Sequence, residues 1–262
     1  MSTFQKLVWG FGITILAGCG GGTPSSSPLA ATGAAASASP SPSGLAELPV
    51  YEDGPPRSIP AGTYVTAPAG FFPGLSLTIP TGWKATETDA GEIALHPADR
   101  PDDAILVWKD MAAVVTNNRT ATVGQVLDDV GRTADALLDW LMTTKDFAIM
   151  AKATDVTVGD SIKGTQLTLG VSETANFALN DCPDNPQCAA IFTDPRHWNG
   201  GFYAIGGDEV ARIFIAPVHY PDGDHTFLIT LDAPNPKELV RLAVDSEPII
   251  QSLRLPASYT DN

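Results

Sequence analysis

Ser161 and His197 are the residues whose types could supply a nucleophile and a base. Ser161 lies in Gly159-Asp160-Ser161, and His197 closes the stretch Asp194-Pro195-Arg196-His197. A serine hydroxyl becomes an effective nucleophile when a positioned imidazole removes its proton, so such a pair could cleave an ester or a glycan. Aspartate and serine beside glycine are equally typical of a turn, because their side chains hydrogen-bond the nearby backbone.

The stretch Gly159-Asp160-Ser161-Ile162 resembles the GDSL block of serine esterases, whose acid and base have the D-x-x-H spacing of Asp194 and His197. In that family the serine block opens the domain, and a long α/β stretch separates it from the D-x-x-H. Here residues 161 and 194 are only 33 positions apart (194 − 161), and no G-x-S-x-G elbow is present. We therefore assign no catalytic residue and keep a hydrolase using Ser161 and His197 as an alternative.

Cys19 follows a short apolar run, Leu7 to Leu16, which has the length of a signal-peptide core and is too short to span a bilayer. Leu16-Ala17-Gly18-Cys19 resembles the lipobox of bacterial lipoprotein precursors. That resemblance implies that residues 1–18 are a signal peptide, and that the thiol of Cys19 carries lipid after cleavage before it. An ordinary secretory signal with a chance cysteine is the alternative.

Residues 19–47 form the predicted lipidated cysteine and tether. After Cys19 they are almost all glycine, serine, alanine, proline and threonine, too poor in apolar bulk to fold. A flexible chain of that length spans roughly 30 Å. We expect residues 48–262 to form a single folded domain outside the cytoplasm, anchored to a bacterial membrane through Cys19.

Cys182 and Cys188 remain once Cys19 is assigned to the anchor. An oxidising compartment favours their pairing as a disulfide within Asp181-Cys182-Pro183-Asp184-Asn185-Pro186-Gln187-Cys188. A thiol-based metal or redox site is the alternative, but the sequence has no C-x-x-C spacing and no histidine between the two cysteines. We predict a structural bridge.

Acidic residues dominate the charge. The chain has 15 basic and 30 acidic residues; residues 1–18 hold one lysine and no acid, which leaves 14 against 30, or −16, in the mature chain. Phosphate backbones and anionic headgroups repel such a surface, so nucleic acid is excluded as a partner and the membrane is reached through the anchor. A small molecule or a protein of the envelope remains a possible partner.

Metal and cofactor sites are not predicted. His96, His197, His219 and His225 include no H-x-x-x-H pair. Asp222 and Asp224 could ligate calcium, as could Asp181 and Asp184, but Pro221-Asp222-Gly223 is first of all a turn. Five large aromatic residues could line a sugar or lipid cleft: Trp83, Trp108, Trp140, Trp198 and Tyr203. Core packing is the usual role of such side chains, and we expect only Trp198 to lie on an exposed loop.

Alternating apolar residues predict strands at Leu75–Ile79, 92–97 and 103–115, the last apolar enough to be central. Residues 122–141 predict a helix from a capping-box spacing and an apolar face, with a break near Gly131 and a second cap at Thr133. Two hairpins are predicted, one across Gly159-Asp160 and one across Gly206-Gly207-Asp208. A further strand follows Pro221-Asp222-Gly223, and Asn235-Pro236 begins a final helix.

The order strands, helix, strands, helix predicts an α+β fold: an antiparallel sheet of about seven strands with helices packed on it. Several segments of residues 58–255 resemble a family of uncharacterised bacterial lipoproteins and secreted proteins. The segments that carry this resemblance include AGTYVTAPAGFFPGLSLTIPTGW, DALLDWLMTTKDF, VTVGDSIKGTQL and PIIQSLRL. The architecture is expected to be similar to the α/β/α sandwich of PsbP-like accessory proteins. That resemblance implies a fold and no activity. We therefore expect a non-catalytic binding or accessory domain, or alternatively an assembly or stress lipoprotein acting through protein contacts.

Overall fold

The computed structural model describes residues 44–51, 55–67, 72–88, 91–116, 124–173, 175, 188–195 and 202–256. Fourteen strands and two helices lie in these ranges. In chain order they are β1 (Ala46–Glu47), β2 (Arg57–Ser58), β3 (Gly62–Val65), β4 (Ser76–Ile79), β5 (Trp83–Thr88), β6 (Glu92–Pro97), β7 (Ala104–Lys109), β8 (Ala112–Ala113), α1 (Ala134–Thr143), β9 (Phe147–Val158), β10 (Ile162–Val171), β11 (Cys188–Thr193), β12 (Tyr203–Gly206), β13 (Val210–Tyr220), β14 (Gly223–Ala233) and α2 (Pro236–Gln251).

An eight-stranded antiparallel sheet organises the described part of the chain. Its strand order is β2-β5-β6-β7-β14-β13-β10-β9. Strand β7 is buried along its whole length. All eleven residues of β14 pair with β13 on one side, and residues 227–232 of β14 pair with the whole of β7 on the other. Because both faces of these central strands are covered, their sequences are nearly continuous apolar runs, as predicted.

Each face of the large sheet contributes to its own core. On one face, Ile105, Ile229 and Leu231 pack with Leu239 and Leu242 of α2. On the other face, Leu106, Trp108 and Leu228 pack with α1 and with a three-stranded sheet of order β12-β11-β8. A second three-stranded sheet, β1-β3-β4, contributes Tyr64, Leu77 and Ile79 to the α2 side. Alternation of side chains across the strands therefore divides the apolar residues between two layers.

The predicted strand at 103–115 is wrong in its extent. Strand β7 ends at Lys109, and Asp110 has the left-handed value φ 54, so the chain turns there. Ala112 and Ala113 then form β8, which pairs with β11 in the smaller sheet. Asp110 is among the residue types that tolerate this conformation, because its short polar side chain can hydrogen-bond locally. Apolar composition continues through the break, which is why periodicity alone misses it.

The predicted helix over 122–141 is wrong in its first half. Residues 124–132 are not helical, and Val126 makes an isolated bridge with Val114. The helix begins at Ala134, and the Thr133 hydroxyl accepts the N–H of Ala136, so the second predicted cap is confirmed. Leu137 and Leu141 are fully buried on the predicted apolar face. Gly131 and Arg132 precede a short helix that packing against the sheet stabilises.

The hairpin predicted across residues 206–208 does not form. β12 pairs with β11 in the small sheet, while β13 pairs with β10 and β14 in the large one. A tight turn joins the two strands, and Gly207 has φ 58, but the chain passes from one sheet to the other there. Turn residues predict a reversal of direction; which strand becomes the neighbour depends on burial of the two faces.

The other local predictions are confirmed. β9 and β10 form the hairpin across Gly159-Asp160, β14 follows the turn at 221–223, and the Asn235 side chain caps α2 by accepting the N–H groups of Lys237 and Glu238. The α+β class is also confirmed, although the sheets dominate and the eight-stranded sheet exceeds the predicted seven strands. Residues 1–43, which include Cys19, and Cys182 lie outside the described residues, so the signal peptide, the tether up to residue 43 and the disulfide with Cys188 of β11 stay predictions. Ala46 and Glu47, at the predicted end of the tether, form β1 and pair with β3.

Candidate functional site

Ser161 lies in the turn between β9 and β10, where its neighbours hold the hairpin against the C-terminal segment. The carboxylate of Asp160 is 3.0 Å from the guanidinium of Arg254. Gly159 has φ +62, and a Cβ at that position would lie 2.0 Å from the carbonyl oxygen of Leu253. This turn therefore docks the hairpin onto the chain that follows α2. His197 lies outside the described residues, so the alternative in which it pairs with Ser161 stays a hypothesis.

A histidine at one end of the large sheet is held by two carboxylates. His225 Nδ1 is 2.7 Å from Asp110 Oδ2, and His225 Nε2 is 3.1 Å from Asp222 Oδ1. Asp110 Oδ1 also accepts the N–H of Thr226 at 2.9 Å. The hydrogen bond from His225 is the largest influence on Asp222 and lowers the pKa of that exposed carboxyl. These contacts join the turn after β7 to the β13–β14 turn.

Two of the four acids predicted as possible calcium ligands, Asp222 and Asp224, lie in this turn; Asp181 and Asp184 lie outside the described residues. Asp222 bonds His225, and Asp224 Oδ1 lies 2.7 Å from His219 Nδ1. Within the described ranges, no group of three histidine, cysteine, aspartate or glutamate side chains is arranged to hold a metal ion. The turn interpretation of Pro221-Asp222-Gly223 therefore accounts for both acids.

Lys109 is buried beside the same histidine. Its Nζ lies 5.2 Å from the ring centroid of Phe72 and 5.7 Å from that of Tyr220, and the side chain is 7% exposed. Tyr220 packs edge-on to His225 with centroids 5.9 Å apart. A desolvated cation over aromatic faces is stabilised by their quadrupoles, so Lys109 has a structural role at the end of β7.

Asp232 and Tyr203 form a buried acidic pair between the large sheet and the β12-β11-β8 sheet. Burial, followed by the charge on Glu209, raises the pKa of Asp232 well above its usual value, so its neutral form is favoured. Burial is the largest cause of a raised pKa for the Tyr203 hydroxyl, and the neighbouring carboxyl group of Asp232 is the next. Tyr203 also packs on Trp108, with centroids 4.8 Å apart. The two side chains are only 3% and 8% exposed, so they lie within the packed interior between the two sheets.

A long exposed strand forms one edge of the large sheet. Strand β9 is twelve residues long, about 40 Å at the usual rise per residue, and residues 148–157 are exposed or half-buried. Among the described strands it pairs only with β10. The edge strand on the opposite side of the sheet is β2, which has only two residues. We call residues 147–158 the β9 edge.

Two bulges divide the β9 edge into an irregular and a regular part. The register with β10 shifts between Gln166 and Thr168 and again between Thr168 and Leu169, opposite residues 149–154. From Thr154 to Val158 the pairing is regular, running from Gln166↔Thr154 to Ile162↔Val158. Bulges on an edge strand discourage pairing with another chain. The regular part, residues 154–158, therefore remains the segment best suited to accept another strand.

An open groove lies on this regular part. Its volume is about 430 Å³, and its walls are Asp155, Val156, Thr157, Lys163, Gly164 and Thr165. A much smaller cavity of about 30 Å³ lies between the sheet and α2, lined by Arg212, Phe214 and Ile250 among others. Neither is a deep apolar pocket of the kind that encloses a small molecule.

Gly164 shapes the groove. A Cβ at this position would lie 2.4 Å from the carbonyl oxygen of Ile215, and 2.8 Å from both Ala216 Cβ and Phe214 Cε2. The absent side chain lets β10 approach β13 closely at the strand position opposite Val156. The sequence shows Gly164 inside a strand pattern, which is a signal of close backbone approach that sequence reasoning did not use.

The aromatic residues follow the packing prediction where the structure describes them. Trp83 and Trp108 are buried, and half-buried Trp140 packs edge-on to Phe147 with centroids 5.7 Å apart. They belong to the two cores and line no groove found here. Trp198, predicted to be exposed, lies outside the described residues.

Comparison with known proteins leaves the chain without a named relative. No protein-family model matches it, and no curated protein matches it. A solved structure from Bacteroides thetaiotaomicron VPI-5482 is similar to it, with a TM-score of 0.36, 11% sequence identity, and coverage of 76% of this chain and 49% of the other. The chain thus spans about half the length of that structure.

Proposed function

We propose that this chain is a bacterial lipoprotein that acts through protein contacts and performs no catalysis of its own. Cys19 anchors it to a membrane through lipid, the residues between Cys19 and β1 form the tether, and the folded domain lies outside the cytoplasm. No helix within the described ranges has the length and apolarity to cross a bilayer. The proposal includes the PsbP-like α/β/α sandwich, which is supported by α2 packing on one face of the large sheet and α1 on the other.

The observation that carries this function is the β9 edge. An exposed edge strand presents backbone N–H and C=O groups that another extended chain can pair with, and such strand addition is a recurring mode of protein recognition. Large apolar side chains lie beside these groups, with Ile149 38% exposed and Met150 51% exposed. A protein partner fits this surface better than a small molecule, because the groove is open and shallow.

Site-specific photocrosslinking tests the protein contacts. A photoreactive amino acid is placed at Thr154 on the β9 edge, in the full-length chain in intact cells. Val240, 62% exposed on α2, is the matched control position. We expect a discrete covalent adduct from position 154 and none from position 240. If position 154 gives no adduct, or if both positions give the same pattern, the protein-contact function is wrong.

Replacing Cys19 tests the anchor independently. In Cys19→Ser the thiol that would carry lipid is absent, so we expect the chain to leave the membrane fraction or to keep its uncleaved signal peptide. Two or more acyl chains hold a protein firmly in a bilayer, whereas the polypeptide alone would not. Firm retention of a cleaved Cys19→Ser chain in washed membranes would contradict the anchor.

A further inference from the structure

We infer that the partner of the β9 edge is a second copy of this chain, paired antiparallel about a two-fold axis at Val156. This inference rests on the proposed function, since it names the partner of the same surface. In such a pairing the regular part of each edge lies along the other. Thr154 of each copy faces Val158 of the other, Asp155 faces Thr157, and Val156 faces Val156.

The register follows from side-chain alternation. Directly opposite residues in an antiparallel strand pair point to the same face of the sheet. An axis midway between two residues would pair a residue from one face of the first copy with a residue from the other face of the second copy. The axis must therefore pass through a residue. An axis at Asp155 would place that carboxylate directly opposite its own copy, which is destabilising in a strand pair. Axes at Thr154 or Thr157 leave part of the regular segment unpaired. The axis at Val156 uses all five regular residues, 154–158.

Charges complement one another in this register. Thr165 Oγ1 lies 3.4 Å from Asp155 Oδ1, and Lys163 is paired with Thr157 on the neighbouring strand. In this register Asp155 lies opposite Thr157 of the second copy. Four residues are then neighbours across the joined sheet, in the order Thr165 and Asp155 of one copy, followed by Thr157 and Lys163 of the second copy. Asp155 and Lys163 of the second copy are two strands apart, about 9.5 Å between backbones, which a lysine side chain can bridge. Two-fold symmetry supplies this pair twice.

The local charge balance permits two acidic chains to meet here. The whole chain has a formal charge of −15, whereas residues 147–171 hold two lysines, Lys152 and Lys163, and two aspartates, Asp155 and Asp160. Two copies repel one another over most of their surface, and like charges placed together penalise association. A neutral hairpin that is also self-complementary avoids placing like charges together at the β9 edge itself.

Sedimentation equilibrium of the full-length chain, in detergent matched to the solvent density, tests the inference. We expect the wild-type chain to be a dimer. Asp155→Lys and Lys163→Asp should each raise the dimer Kd roughly tenfold, because each change replaces two attractive pairs with repulsive ones. The double variant restores opposite charges and should recover most of the wild-type affinity. Asp128→Lys, an exposed position outside the β9 edge, is the control for net charge and should leave Kd unchanged.

Three results would overturn the inference: a monomeric wild type, single variants that dimerise like wild type, or a double variant as weak as the single variants. Thermal melting of each variant verifies that it is folded, and the exposed edge positions are expected to melt within a few degrees of wild type. The photocrosslink at Thr154 separates the two proposals. An adduct with a different protein from a monomeric chain would refute the second copy and leave the protein-contact function standing.

Discussion

Gly164 offers a sharp test of the packing that shapes the groove. In Gly164→Ala the new Cβ would lie 2.4 Å from the carbonyl oxygen of Ile215 and 2.8 Å from Ala216 Cβ. Neither atom is the mobile end of a long side chain, so strands β10 and β13 must separate. Inserting a carbon into such a packed contact costs about 3 kcal/mol, the upper part of the usual range for overpacking.

Gly62→Ala is the matched control, because Gly62 is also in a strand but its added Cβ would meet nothing closer than the Tyr64 ring at 3.6 Å. That is ordinary van der Waals contact, and alanine reduces the entropy of the unfolded chain, so this variant should be neutral or more stable by up to about 1 kcal/mol. Calorimetry of both variants gives the comparison. At about 3 °C per kcal/mol for a domain of this size, we expect Gly164→Ala to melt about 9 °C lower. An unchanged melting temperature for Gly164→Ala, or an equal loss for Gly62→Ala, would refute the close approach.

Three further predictions concern other parts of the fold. Burial, only partly offset by Arg100, raises the pKa of Asp103 to about 6. The native state therefore binds this proton more tightly than the unfolded chain, and the free energy of unfolding should fall as the pH rises from about 4 to 6. Denaturant titrations at a series of pH values should show a flatter slope for Asp103→Asn. Asn235→Ala removes the acceptor of two N–H groups, each 3.0 Å away, and should lower the unfolding free energy by about 1 kcal/mol, whereas no comparable loss is expected for Lys237→Ala at an exposed position. In urea unfolding, Asp110→Ala should be about 2 kcal/mol less stable than Asp110→Asn. Asparagine tolerates the left-handed backbone conformation and can still accept the N–H of Thr226, whereas alanine does neither well. Equal stabilities of the two variants would contradict that account.

Local signals predicted the ends of elements well. The Asn235-Pro236 start of α2, the Thr133 cap of α1 and the Gly159-Asp160 turn all depend on residues within four positions of each other, which is the range over which caps and turns form their hydrogen bonds. Errors arose where the apolar pattern continued through a change of sheet. Apolar runs lie on both sides of Lys109 and Asp110 within residues 103–115, yet Asp110 turns the chain from the large sheet into the small one.

Most of the candidate site could not be predicted from the sequence. Residues 147–158 were predicted as a strand, but nothing in their pattern says that this strand is the last of eight. The contact of His225 with Asp110 joins residues 115 positions apart and has no local signature. Both features depend on which strands pair, and strand order is decided by burial of side chains from distant parts of the chain.

The amino-acid sequence by itself determined several local features: the caps of α1 and α2, the turns at 159–160 and 221–223, and the apolar face of α1. Those properties follow from backbone sterics, capping and apolar period, all of which act between near neighbours. Only the tertiary structure decided that β9 lies at the exposed edge of the large sheet and that Gly164 of β10 packs closely against β13 beside the groove. The physical reason is that an edge is a property of the whole sheet: a strand is exposed when no other segment pairs with it.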